Sequence, residues 1–268
     1  MSDNAYVPSI LFIDDTVVSD IEPLKDGGHS KVLKGRVHTV GTVSRMVAIK
    51  RMSTDFYAEA ENELFFQKSK LIHPNIGEIL RSTTVDNYVN IVMPLYSIGL
   101  DKILYNNFSI NQPIQIMNQL VDAIGFLHKN NFVHRDIKPE NIMFDECNNI
   151  RLIDFSLSGK ILDNTSEDFL PHALWYRAPE YHFKTRNDPK KGDIWALGMV
   201  LVELDTRRPV LAHVKDIVQY FSTLIFPGNI RKMDNTNHYL YNKLTNTRTL
   251  PTERMNMFLH INPDLRIL

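Results

Sequence analysis

The stretch "VHRDIKPENIMF" (Val133–Phe144) packs His134, Arg135, Asp136, Lys138 and Asn141 together and then turns at once to apolar residues. Asp154 opens a "DFS" triplet further on, and far upstream Lys50 closes "VAIK". Carboxylates and an amide supply the oxygen ligands a hard cation wants, and lysine supplies positive charge for a phosphate. A site handling phosphate and a metal needs these residue types. Each also has a plainer reading, because a solvated loop carries such charges by chance. A lone lysine at a strand end is usually a solvated charge, and a lone aspartate such as Asp136 is more often a cap or turn residue.

The elements that must position these groups are legible in part. "SKVLKGRV" and "SRMVAIKRM" are β-branched and roughly alternating, joined by the "HTVGTV" turn, and predict two strands that carry Lys50. "DFYAEAENELFFQKSKL" has good helix formers, with apolar residues at helical spacing, and "HPNI" stops it because proline disfavours helix in the residue before it. "IGEILRSTTV" and "YVNIVMPLY" read as two further strands around an Asp-Asn turn. From there the period becomes helical. In "SINQPIQIMNQLVDAIGFLHKN", Ser109 or Asn111 could cap a helix whose apolar face is Ile114, Met117, Leu120, Val121, Ile124 and Leu127. "NIMF" and "IRLIDF" predict a short hairpin split by "DECNN". A strand-rich first third and a helix-rich remainder predict two unlike lobes joined near residues 94–99.

Composition narrows the classes. The 268 residues suffice for one large domain or two small lobes, and 43% hydrophobic with 23% charged residues is ordinary for a soluble globular chain. A formal charge of −1 leaves no basic excess for nucleic acid or a membrane surface. Cys147 is the single cysteine, which excludes an intrachain disulfide and fits a reducing compartment. "MSDNAYVPSILFIDD" has no basic start, and the apolar run around "WALGMVLVEL" is short and carries Glu203. The expectation is an intracellular protein, cytoplasmic or nuclear, with neither signal peptide nor membrane span.

H-R-D-x-x-x-x-N (His134–Asn141), "DFS", "VAIK" and "APE" (Ala178–Glu180) fall in an order that resembles the eukaryotic protein kinases over nearly the whole chain, from about Leu24 to Arg266. The resemblance implies an α+β, bilobal kinase fold forming a single kinase domain. Residues 1–95 would be a small β-rich N-lobe and 96–268 a larger, mainly α-helical C-lobe. It implies ATP and Mg²⁺ as cofactors. Lys50 would hold the α/β-phosphates, steadied by a helical carboxylate; Glu63 is favoured over Glu59 and Glu61 by counting back from "HPNI". Asp154 and Asn141 would hold Mg²⁺, Asp136 would accept the substrate hydroxyl's proton, and Lys138 would neutralise charge on the γ-phosphate. Lys138 in "DIKPEN" is the serine/threonine form of the loop. His134 is a packing residue in that family. Glu180 with Arg266 would form a structural ion pair, and Asp193 would brace the catalytic loop through backbone hydrogen bonds.

The same resemblance outlines an adenine site from Leu24, Val32, Ala48, Met93, Pro94, Tyr96 and Met143, with Met93 as gatekeeper. Pro94 is compatible because the adenine takes only a carbonyl oxygen there, which proline keeps, while the N–H donor falls at Tyr96.

Departures from the family pattern bear on activity. "LKDGGHSKV" keeps one glycine of three, Gly27, with Gly28 beside it, which predicts a stiffer or poorer phosphate cradle. Ser156 replaces the glycine after the metal aspartate, predicting restricted switching between active and inactive arrangements. Ala173 stands where a hydroxyl residue usually bridges Asp136 and Lys138.

"LWYRAPE" (Leu174–Glu180) and "TRRPVL" resemble the cyclin-dependent kinase branch, Arg177 being the branch's extra basic residue. The activating-threonine position aligns with Asp168, after Glu167. Either the acidic pair orders the loop weakly and permanently through Arg135, or "SEDF" is simply a polar loop, with Thr165 and Ser166 as possible phosphosites. No arginine precedes Glu63, so a cyclin-like activator is not expected, although it is not excluded. The chain stops two residues past Arg266, and the last helix is expected to be largely missing. The expectation is a compact, monomeric kinase with protein substrates and a cell-cycle role. A single-subunit kinase acting on cyclin-dependent kinases is one form of it. The alternative is a pseudokinase acting as a binding or allosteric module, motivated by the lost glycines, Ser156 and Ala173.

Overall fold

The computed structural model describes residues 7–26, 30–39, 41, 43–104, 112–161, 172–183, 188–211, 221 and 250–268. The chain divides into two compact units, Met1–Ile72 with Gly77–Ser97, and His73–Ile76 with Ile98–Leu268.

The first unit is a six-stranded antiparallel sheet, in the order β1 (Leu11–Ile13), β2 (Thr16–Asp26), β3 (Ser30–Thr39), β4 (Arg45–Ser53), β6 (Tyr88–Pro94) and β5 (Arg81–Val85). Asp86 and Asn87 both take left-handed backbone (φ 50 and 62), which matches a two-residue hairpin to the twist of β5 and β6. Alternation then sorts the side chains. Leu33, Val47, Ile49 and Val92 form one buried cluster with Leu11, Ile13 and Val18. Met52, Val89 and Ile91 bury the opposite face against Ala60 of helix α1 (Tyr57–Lys68). A single 3₁₀ turn, Thr54–Phe56, leads into α1, and the Ser53 hydroxyl accepts from the Asp55 N–H at its start.

The second unit is helical. Its elements include α2 (Leu100–Ile103), α3 (Gln112–Lys129), α4 (Pro179–His182), α5 (Pro189–Thr206) and α6 (Thr252–Phe258). Small antiparallel ladders join β7 (Ile98–Gly99), β9 (Ile142–Phe144) and β10 (Ile150–Leu152), and separately β8 (Phe132–Val133) with β11 (Gly159–Lys160). α5 is the spine of this unit. Asp188 caps it, Pro189 fills its first turn, and every residue from Gly192 to Asp205 is buried. Gly198 permits the close approach of the segment after α6, since a Cβ there would stand 2.7 Å from Leu259. Among the described residues no helix is long and apolar enough to cross a membrane.

Two local expectations are corrected. The strand expected from Ile76 begins only at Arg81, because Ile76 pairs in a parallel bridge with Leu152 of the second unit. The buried face of α3 runs through Ile116 and Ala123 rather than Ile114 and Val121, which lie at the rim of the stripe. The hairpin of β9 and β10 is present in the register Phe144↔Ile150 to Ile142↔Leu152.

Candidate active site

In the first unit, β4 carries Lys50 between Val32 of β3 and Ile91 of β6. Its Nζ meets Glu63 Oε2 of α1 at 2.6 Å, with side-chain exposures of 8% and 4%, so this ion pair is desolvated rather than a surface contact. Among the three glutamates considered, Glu63 is the buried one, Glu61 is exposed and Glu59 is half-buried. Ala48 is buried opposite Met93, and Pro94 ends β6 opposite Val47. Tyr96 Oη accepts from the Glu78 N–H at 3.4 Å. Val32 is half-buried, while Leu24, at a register irregularity of β2, is half exposed. Gly27 and Gly28 lie outside the described residues, as do Ser109, Asn111, Thr165, Ser166, Glu167 and Asp168.

In the second unit, the loop after β8 brings two side chains onto one carboxylate. Asp136 Oδ2 accepts from Lys138 Nζ at 2.7 Å and from Asn141 Nδ2 at 2.9 Å. Asn141 Nδ2 also donates to the Asp136 backbone carbonyl at 2.8 Å. The amide nitrogen is thereby committed to Asp136, and the side chain's oxygen is the atom it has to offer a ligand. Lys138 touches Asp136 directly, and Ala173 carries no hydroxyl. Asn141 is also tied to the residue just after β10, its backbone carbonyl accepting from the Ile153 N–H at 2.9 Å. Met143 of β9 is half-buried, opposite Arg151.

Arg135 and Asp154 both have left-handed backbone, φ 66 and 68. For residues other than glycine that geometry costs roughly 1–2 kcal/mol, and it persists only where surroundings enforce it. Asp193 is the enforcing group at Arg135. Its Oδ2 accepts from the His134 N–H and from His128 Nε2, and its Oδ1 accepts from the Arg135 N–H, all at 2.9–3.0 Å. Burial alone would raise this carboxyl. The His128 hydrogen bond and the histidine charges of His128, His172 and His134 overcome it, holding the pKa at about 2. Burial lowers His172 to about 4 and lowers His134 as well, so at neutral pH those two rings carry no charge. The backbone N–H groups and His128 then do most of the holding. Sequence reading anticipated the Asp193 brace. It missed His128, whose signal was only a polar residue on an otherwise apolar face of α3.

Glu180 and Arg266, both fully buried, form a bidentate pair, with Arg266 Nη2 donating to Glu180 Oε2 at 2.7 Å. Phe155 is buried with its ring 4.8 Å from that of His134, and Arg177 Nη2 donates to the His172 carbonyl at 3.0 Å. Asp154, the residue before Phe155, accepts from the Ser156 hydroxyl at 2.6 Å through Oδ1.

A family model, protein kinase domain, matches residues 19–267. The chain belongs to the protein kinase family. Among its relatives are serine/threonine-protein kinase ICK of Mus musculus, 30% identical over 220 residues, and serine/threonine-protein kinase MAK of Homo sapiens, 28% identical over 217. These alignments cover 80% and 79% of this chain and 34% of each relative. Extracellular signal-regulated kinase 7 of Drosophila melanogaster is 28% identical over 208 residues, 70% of this chain and 22% of that protein. The chain thus spans about a third or less of the length of the curated relatives it matches. Within the family it sides with the serine/threonine kinases of the cyclin-dependent-kinase-like branch, as "LWYRAPE" led us to expect.

The donor chemistry fits the kinase cofactors. Asn141 and Asp154 offer oxygen only, which suits Mg²⁺, a cation usually held by one or two carboxylates together with nucleotide phosphates. Among the described residues no group of three histidine, cysteine or acidic side chains could hold a metal by itself. Mg²⁺, when bound, neutralises phosphate charge.

Proposed function

We propose that the chain is a serine/threonine protein kinase that transfers the γ-phosphate of Mg-ATP to protein hydroxyls. The observation that carries this reading is Asp136, whose Oδ2 takes both Lys138 and Asn141 and which stands on a loop braced by Asp193. With one oxygen so engaged, Asp136 is oriented to accept a hydroxyl proton, and Lys138 lies beside the place where phosphate charge would grow. Lys50, held by Glu63, is the residue for the α/β-phosphates, and Asn141 and Asp154 are those for Mg²⁺. Ala48, Met93, Pro94, Tyr96, Val32, Leu24 and Met143 are the proposed adenine contacts, and Gly27 and Gly28 the phosphate loop.

The finer reading is a single-subunit kinase acting on cyclin-dependent kinases. It rests on the branch resemblance, on Glu167 and Asp168 at the usual phosphothreonine position, and on the missing arginine before Glu63. It goes with a monomer that needs no cyclin-like activator, a cytoplasmic or nuclear place and a role in the cell cycle. A pseudokinase is the second reading, favoured by Ala173, Ser156 and the sparse glycines.

The test is transfer from labelled Mg-ATP by bacterially made chain with no partner. Acceptors are a basic protein, a proline-directed peptide and an unphosphorylated cyclin-dependent kinase. Preference for the last supports the finer reading, and preference for the peptide overturns it. Nucleotide binding without any transfer supports the pseudokinase.

A further inference from the structure

The hydroxyl at position 156 has no counterpart in the family's D-F-G, and it sits against the metal aspartate. Ser156 Oγ donates to Asp154 Oδ1 at 2.6 Å, and the Ser156 N–H points to the same oxygen at 3.4 Å. The backbone contact is open to any residue. The hydroxyl contact is not. Both side chains are half-buried, so the short bond lies partly out of water, where a charge-assisted hydrogen bond is strongest. Asp154 itself stands in left-handed backbone (φ 68), which aims its side chain, and the buried Phe155 between the two residues fixes the turn that lets Ser156 reach back.

We propose that Ser156 is a positioning residue for the cation, and that it biases the site toward Mg²⁺ over larger divalent ions. The inference rests on Asp154 being a metal ligand, as in the function proposed above. The hydroxyl occupies Oδ1 at 2.6 Å and the N–H crowds the same oxygen at 3.4 Å, which favours a cation meeting the carboxylate through one oxygen rather than two. Mg²⁺ is small, demands near-ideal octahedral geometry and is served well by a single carboxylate oxygen and water. Ca²⁺ takes more ligands and readily uses both oxygens of a carboxylate. The hydroxyl thus pre-orients Asp154 for the first ion and withholds the chelating mode from the second. Partners of this kind, which hold a ligand rather than the metal, are typically worth 10–100-fold in metal affinity.

The experiment reads cation binding rather than turnover. The full chain, saturated with a non-hydrolysable ATP analogue, is titrated with Mg²⁺ or Ca²⁺. Melting temperature is followed relative to each variant's own metal-free value. Ser156→Ala and Ser156→Gly are expected to raise the Mg²⁺ midpoint about tenfold and to leave the Ca²⁺ midpoint level or lower. Ser156→Thr, which keeps the hydroxyl, is expected to keep the native ratio of midpoints, a rescue that a purely structural role would not produce. Unchanged ratios in both the alanine and glycine variants, with Asp154→Asn abolishing the response, would overturn the role of Ser156 and leave the metal-site reading standing. A native response in Asp154→Asn would instead remove Asp154 as a ligand and the inference with it.

Discussion

The Lys50–Glu63 pair allows the sharpest energetic test. Both side chains are almost wholly out of water and their charged atoms are 2.6 Å apart. Replacing Lys50 by Met leaves a buried carboxylate without its cation. Breaking a buried pair in this way costs about 3–5 kcal/mol, a large share of the roughly 5–15 kcal/mol that holds a typical domain. Glu63→Gln strands the ammonium instead and should cost a similar amount. In Lys50→Met/Glu63→Gln neither charge remains, so the double variant should lose at least about 2 kcal/mol less than the two singles added together. Urea denaturation followed by far-UV circular dichroism is the assay, because both tryptophans, Trp175 and Trp195, lie in the other unit and would not report on β4 and α1. Additive single losses would show that the pair is not coupled, and the desolvation reasoning would fail.

Other expectations follow from the second unit. Arg266 is fully buried and donates to Glu180 and to the carbonyls of His260, Lys191 and Ile261. Arg266→Lys keeps the charge but loses this fork, and thermal melting should show a loss of about 3–5 kcal/mol. His172 is held neutral by burial with a pKa of about 4. The unfolded chain takes the proton first, so about 3 kcal/mol is present above pH 6.5 and drains away as pH falls through 4. His172→Val should flatten that slope in urea midpoints. Glu203, accepting from the Tyr176 hydroxyl, is pushed up to about 7 by burial. Its contribution has the opposite sign, stability falling as pH rises from about 4.5 to 7, and Glu203→Gln should remove that fall.

What could be read from the sequence depended on how local the signal was. Period-two alternation identified β3, β4 and β6, and the Asp86-Asn87 dipeptide located the hairpin that left-handed backbone then makes. The "HRDIKPEN" loop was legible as a candidate site because its residue types are jointly improbable for a mere turn. "IGEI" misled because its apolar residues satisfy alternation while Ile76 buries itself through a single bridge to Leu152, a contact 76 positions away that no window reveals. On α3, Ile114 and Val121 fit a helical period yet sit at the stripe's edge, and only the packing partner decides which edge is covered. The Lys138–Asp136 contact and the Ser156 hydroxyl on Asp154 were invisible for a different reason. The substitutions could be seen, but what the neighbours do about them is a matter of side-chain geometry.

The central claim is that Asp136 serves the transfer step itself. Its most direct test compares the native chain with Asp136→Asn for transfer of phosphate from Mg-ATP to serine or threonine at saturating acceptor, with nucleotide affinity measured alongside. General-base assistance is worth about 10²–10⁴ in rate, so the variant should fall by that factor while its nucleotide affinity stays within about twofold. Equal rates in the two proteins, or no transfer by the native chain despite bound Mg-ATP, would contradict the account.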